Sequence, residues 1–157
     1  MSSGFTLQKN KIIISPEDYK KFFGKKLSPK NPQFCSKKGW KTIAGRKIYF
    51  NSKAESNYAR YLEHLKQQNQ IKEWEYEPQT FWFLAIKRGV RSYLPDFKIT
   101  EHSGRTVWIE VKGYMDSKSQ TKIKRFKKYY PDETLNVVGS DWFKANSQLA
   151  HVISGWE

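Results

Sequence analysis

The sequence predicts an α/β domain, a mixed sheet with helices against its faces, and three observations carry that expectation. Helical and strand periodicities succeed one another in the order helix, several strands, helix, strand, helix. Of the 157 residues, 38% are hydrophobic and 16% aromatic, more apolar content than a disordered chain of this charge carries. The length suits one domain with a real core and is short for two.

Taken in order, residues 1–47 read as a basic arm and residues 48–157 as the folded domain. Within the arm, "TLQKNKIIIS" has the pattern of a short strand. "SPEDYKKFFGKK" follows as a short helix, with Ser15 as N-cap, Pro16 at the first helical position and Gly24 ending it. From Lys25 to Lys41, Lys, Pro, Ser and Asn predict a loop or extended segment. The arm is either a solvated tail or a nucleic-acid-binding arm.

"GRKIYF" is expected to be a short strand entering the core. In "NSKAESNYARYLEHLKQQNQ", Ser52 and Glu55 have capping-box spacing, and Ala54, Tyr58, Tyr61, Leu62 and Leu65 recur as on a helix, which predicts a helix over about residues 53–68. "EWEYEP" and "TFWFLAI" read as strands split by Pro78, and "YLPDFKI" and "TVWIEVK" as two more. "SKSQTKIKRFKKYYP" predicts a basic helix stopped by Pro131, "LNVVG" a buried strand and "SDWFKANSQL" a last short helix.

Charge narrows the partner. Lys and Arg number 29 against 15 Asp and Glu, a balance of +14 that favours a polyanion, nucleic acid first. Twelve of those cations against Glu17 and Asp18 place +10 within residues 1–47. A membrane partner is not expected: no apolar run is long enough to span, and neither a signal-like start nor a sustained basic amphipathic helix is present. The single Cys35 excludes an internal disulfide framework and a multi-cysteine zinc site, and it fits a reducing compartment such as the cytoplasm.

The chemistry gathers in "SYLPDFKITEHSGRTVWIEVKGYMD". Alternation in "TVWIEVK" puts Val107, Ile109 and Val111 on one face and Trp108, Glu110 and Lys112 on the other. The polar turn "EHSG" makes a hairpin, and a turn centred on Ser103 sets Asp96 opposite Glu110, at a Cβ separation of roughly 4.5–5.5 Å. Two carboxylates that close repel, so the cluster calls for a divalent metal, Mg²⁺ or Mn²⁺ by its oxygen donors. Such an ion polarises a phosphodiester oxygen and acidifies water, while Lys112 orients that water or stabilises developing charge. Glu55 falls on the helix face that packs on the sheet; it either completes the capping box or joins the metal cluster.

Lys118, Lys122, Lys124, Arg125, Lys127 and Lys128 on the basic helix are expected to hold DNA phosphates rather than form a merely solvated face, because the charges are nearly all of one sign. Lys87, Arg88 and Arg91 in "KRGVRSY" would extend that track, while Phe81, Trp82 and Phe83 read as core. The histidines form no nuclease motif, and no phosphate-binding loop signature is present.

"LPDF", a turn, then "WIEVKG" resembles the PD-(D/E)xK nuclease superfamily. Together with "YFNSKAESNYARYL", "IKEWEYEPQTFWF" and "KGYMDSKSQTKIKRFKKYYPDETLNVV", it is similar to the phage endonuclease I branch, over about Tyr49 to Val138. The resemblance implies a restriction-endonuclease-like fold, Asp96, Glu110 and Glu55 as metal ligands, the Val111 carbonyl as a backbone ligand, and Lys112 as the catalytic lysine. It also implies Mg²⁺-dependent cleavage of branched DNA, Holliday junctions included, leaving 5′-phosphate ends, by an intertwined homodimer in a host cytoplasm. The basic arm has no visible counterpart in that branch. The alternatives are a nuclease without strict junction preference, and a non-catalytic DNA-binding or recombination accessory module.

Overall fold

A computed structural model describes residues 37–157. The strand and helix expected before Gly24, Cys35, and all but the last residues of the expected arm lie outside the described residues.

The described chain opens with a hairpin of β1 (Gly39–Ile43) and β2 (Arg46–Phe50), closed by Ala44 and Gly45, both at positive φ (49° and 75°). Two successive residues of that kind make the turn whose twist matches paired strands. Residues 39–41, expected as loop, are therefore strand, and the folded body starts ahead of residue 48. The Lys-rich composition hid an alternation in which Ile43, Ile48 and Phe50 face inward.

Helix α1 (Lys53–Gln67) follows, beginning where expected. Ser52 is the N-cap, its Oγ accepting the Glu55 N–H at 3.1 Å, and the buried Tyr58, Ala59 and Leu62 carry its apolar stripe. Strands β3 (Glu73–Tyr76), β6 (Phe97–Thr100), β7 (Thr106–Val111) and β8 (Thr134–Val138) form the main sheet in the order β3-β6-β7-β8. β3, β6 and β7 are antiparallel neighbours, and β8 joins β7 in parallel, so the sheet is mixed as expected. The crossover between β7 and β8 is helix α2 (Ser117–Tyr129). Strands β4 (Phe81–Trp82) and β5 (Ser92–Tyr93) pair as a separate short ribbon. Two short helices, α3 (Ser140–Ala145) and α4 (Leu149–Val152), end the chain.

The sheet separates two cores. On one face Phe97, Ile109 and Trp74 pack with Tyr58, Ala59 and Leu62 of α1; on the other Trp108 and Leu135 pack with Phe81, Phe83, Tyr93 and the α2 residues Ile123 and Phe126. β7 feeds both, with Val107, Ile109 and Val111 to the first and Trp108 to the second. The face that carries Glu110 is thus covered, not open. The strand expected over "TFWFLAI" stops after two residues because the Ile86 N–H turns back to the Phe83 carbonyl at 2.9 Å. Phe81 and Phe83 are core as expected, but Trp82, pointing the other way from the ribbon, is 55% exposed. No helix among the described residues is long and apolar enough to cross a membrane.

Candidate active site: a row of carboxylates across three strands

Pairing Phe97 with Ile109 and Ile99 with Val107 gives the register that a turn centred on Ser103 demands; one step further along it, Asp96 stands opposite Glu110. The β3–β6 register, continued by one residue from Tyr76 and Phe97, adds Glu77 to the same row, and the Glu77 N–H donates to the Asp96 carbonyl at 2.8 Å. Glu77, Asp96 and Glu110 therefore line one edge of the sheet, while Glu55 reaches toward it from the first turn of α1.

Asp96, Glu110 and Glu55 are each fixed by close partners, while Glu77 Oε1 accepts from Asn51 Nδ2 at 3.4 Å. Asp96, buried, accepts the Val111 N–H through Oδ2 at 2.6 Å. Glu110 is 3% exposed; its Oε2 accepts the Tyr93 hydroxyl at 2.7 Å and its Oε1 lies 3.0 Å from Lys112 Nζ. Glu55 Oε2 accepts the Tyr76 hydroxyl at 2.7 Å and the Asn51 N–H at 3.1 Å, while Oε1 accepts the Ser52 hydroxyl at 2.9 Å. Ser52 caps the helix through the Glu55 N–H, but the Glu55 carboxylate accepts the Asn51 N–H and the Ser52 hydroxyl in place of the Ser52 N–H of a capping box, and it lies close enough to Asp96 to act on its ionisation. Val111, expected to offer its carbonyl to a metal, contributes its N–H to Asp96.

The electrostatics follow from burial. Removal from water pushes the Asp96 carboxyl well above the usual carboxylate range, and the Glu110 and Glu55 charges push it further, against the Val111 N–H and Lys112. Glu77 is raised for the same reasons: burial first, then Glu55 and Glu110. Burial pulls the Lys112 ammonium down, but Glu110, Asp96 and Glu55 together outweigh it and leave it raised, so Lys112 stays charged. Burial and mutual repulsion thus disfavour ionising all of these carboxyls together beside the single Lys112 ammonium.

Among the described residues no three His, Cys, Asp or Glu side chains stand ready as a metal cage. The all-oxygen donor set still fits Mg²⁺ or Mn²⁺, since Mg²⁺ keeps several waters and takes one or two protein carboxylates. Asp96 and Glu110 would be those two, with Glu55 and Glu77 beside them.

Sequence reasoning missed Glu77, Tyr76 and Tyr93. Glu77 stands just before Pro78 and takes a positive φ of 46°, so strand alternation gave it no direction; the spacing of Tyr76 and Tyr93 shows only core.

The expected phosphate contacts divide. Lys118, Lys124, Lys127 and Lys128 are exposed on α2 and Lys122 is partly so, whereas Arg125 donates from Nη1 to the Val90 carbonyl and ties the loop before β5 to the helix. Lys128 lies 5.8 Å from the Tyr129 ring, and burial lowers the Lys127 ammonium. Arg88 and Arg91 are exposed on that loop. The N-terminus of α2 is capped by Asp116, whose Oδ1 accepts the Ser119 N–H at 2.6 Å, and both Lys112 and Lys122 act on the Asp116 carboxyl. The basic helix therefore begins beside the carboxylate row.

Fold and site together define a mixed α/β domain with a buried carboxylate–lysine cluster at the edge of its central strands. The family model described as "Protein of unknown function (DUF1064)" matches residues 35–144, and the chain belongs to that family. No curated protein and no solved structure matches the chain significantly.

Proposed function

We propose that this protein is a metal-dependent, structure-selective DNA endonuclease that hydrolyses phosphodiester bonds in branched DNA, four-way junctions included. The observation that carries the reading is the β6–β7 register, which sets Asp96 against Glu110 with Lys112 at 3.0 Å from the latter. The restriction-endonuclease-like resemblance of "LPDF" and "WIEVKG" agrees with it, and so does the overall charge of +14.

A bound Mg²⁺ or Mn²⁺ would supply Lewis-acid stabilisation of the phosphoryl charge. Asp96 and Glu110 would hold it, and Glu55 and Glu77 would add negative potential. Lys112 keeps its proton and places a positive charge at the rim, where it stabilises charge building on the attacked phosphate. Tyr93 fixes the Glu110 carboxylate and the Val111 N–H fixes that of Asp96, so neither has to be ordered when substrate arrives. Exposed lysines of α2, together with Arg88 and Arg91, supply sequence-independent affinity for the backbone. A homodimer would pair two such sites for two cuts across a junction.

The test offers four-way junction, flap, linear duplex and single strand to the purified protein with Mg²⁺. Asp96→Ala and Glu110→Ala should abolish cleavage and leave DNA binding largely intact. Cleavage by either variant at the wild-type rate would remove the site assignment. A protein that shifts DNA in a gel and leaves every strand whole would be the accessory module, and equal cutting of all four substrates would remove junction selectivity.

A further inference from the structure

The β1–β2 hairpin has one face in the core and one in solvent. Ile43, Ile48 and Phe50 point inward, while Trp40, Thr42, Lys47 and Tyr49 point out. Trp40 and Tyr49 are cross-strand partners with ring centroids 5.4 Å apart at 73°, yet Trp40 is 61% and Tyr49 43% exposed. Such a pair helps hold a hairpin together, but that task does not require two large aromatic rings to face water. Lys47 Nζ stands 5.3 Å from the centre of the Trp40 ring. Residues 37–50, "KKGWKTIAGRKIYF", contain five Lys or Arg and no acid. Of these cations Lys41 pairs with Glu157 and Arg46 with Glu63 and the Trp74 ring, whereas Lys37, Lys38 and Lys47 are exposed.

Exposed aromatic faces interleaved with cations and free of acids are the composition that binds unpaired nucleotides: rings stack on bases, which all have a π-face, and cations meet the phosphates between them. An anionic polymer complements this face, whereas a neutral apolar partner would leave its lysines desolvated. The position is also apt. Two residues beyond Tyr49, the Asn51 N–H donates to Glu55 Oε2, and the intervening Phe50 packs on Tyr76 at 4.7 Å, the tyrosine whose hydroxyl holds Glu55. The strand that bears the platform thus runs directly into the carboxylate cluster, about 7 Å further along the chain.

We propose that Trp40, Tyr49 and Lys47 form a stacking platform for an unpaired nucleotide of DNA next to the carboxylate site, which selects substrates with unstacked bases near the cut. The inference rests on the nuclease reading for its consequence in cleavage, but binding tests it separately. Affinity is measured in EDTA by fluorescence anisotropy for a labelled twelve-nucleotide oligo-dT and for a blunt duplex. Trp40→Ala and Tyr49→Ala should each weaken the oligonucleotide at least fivefold and the duplex less than twofold, and Trp40→Phe should stay within threefold of wild type. Trp40→Leu, which keeps apolar bulk on the hairpin, should behave as Trp40→Ala does. Unchanged oligonucleotide affinity, equal loss on both DNAs, or a change in sedimentation showing that the pair is a protein contact would each overturn the platform. Loss of cleavage in Asp96→Ala with oligonucleotide affinity kept leaves both ideas standing. Cleavage that survives in that variant removes the site assignment and leaves the platform to its own measurement.

Discussion

The backbone N–H of Val111 donates to Asp96 Oδ2 at 2.6 Å, across the hairpin and at the end of β7. Asp96→Asn keeps an oxygen for that N–H and removes a carboxyl whose ionisation is disfavoured by burial and by Glu110 and Glu55. Without metal, the variant should therefore melt higher than wild type at neutral pH, by roughly 2–4 °C, the shift that about 1 kcal/mol makes in a chain of this length. Mg²⁺ should raise the melting temperature of wild type and not of the variant, and cleavage should be lost. A thermal-shift series with and without Mg²⁺ reads both effects.

Tyr93→Phe removes the hydroxyl donated to Glu110 Oε2 and leaves a buried carboxylate oxygen without that partner. The expected cost is about 1–3 kcal/mol in urea unfolding. Cleavage at saturating DNA should fall as well, because Glu110 is then held by Lys112 alone. Equal stability of the two proteins would show that Tyr93 is an ordinary core ring.

Lys118 and Lys122 stand one helical turn apart near the start of α2, on the helix that begins beside the site. Lys118→Ala combined with Lys122→Ala should weaken binding to duplex and junction alike and lower the slope of log affinity against log salt by about 2. The turnover rate at saturating DNA should hardly change. Anisotropy titrations between 50 and 200 mM salt, the range over which phosphate contacts show most clearly, decide it.

Asp116→Ala deletes the N-cap of α2 and should cost about 1 kcal/mol at pH 7. The N–H of Ser119 holds the Asp116 carboxyl below its ordinary value, with Lys112 and Lys122 adding to the effect. A lowered folded-state pKa contributes stability that is whole above the unfolded value of about 3.9 and is lost as the pH falls through the folded one. The gap between wild type and variant should therefore close in acid, which urea melts at pH 7, 5 and 3 would show.

How much of this was legible in the sequence depends on the physics behind each element. The β6–β7 hairpin was readable because alternation and one polar turn, centred on Ser103, set the register, and with it the placement of Asp96, Glu110 and Lys112. Helix α1 was readable from Ser52, Glu55 and its apolar spacing. The β1–β2 hairpin was not, because Lys37, Lys38, Lys41, Arg46 and Lys47 gave the stretch the composition of a loop while the inward residues are few. Glu77 was hidden by a backbone turn that no side-chain period reports. Tyr93 looks like core and is core; only its hydroxyl belongs to the site. Arg125 was counted with the phosphate contacts, and nothing local reveals that it reaches the Val90 carbonyl.

Because β7 is buried on both faces, its alternation has no slack. Sliding it by one residue would drive Glu110 and Lys112 into the apolar layer beneath α1 and turn Val111 toward the acids. Substitutions that merely loosen Phe97, Trp108 or Ile109 would then read in an activity screen as damage to the chemistry, with the site residues themselves untouched. An engineer seeking a more robust version should therefore leave the central strand alone and work at the periphery.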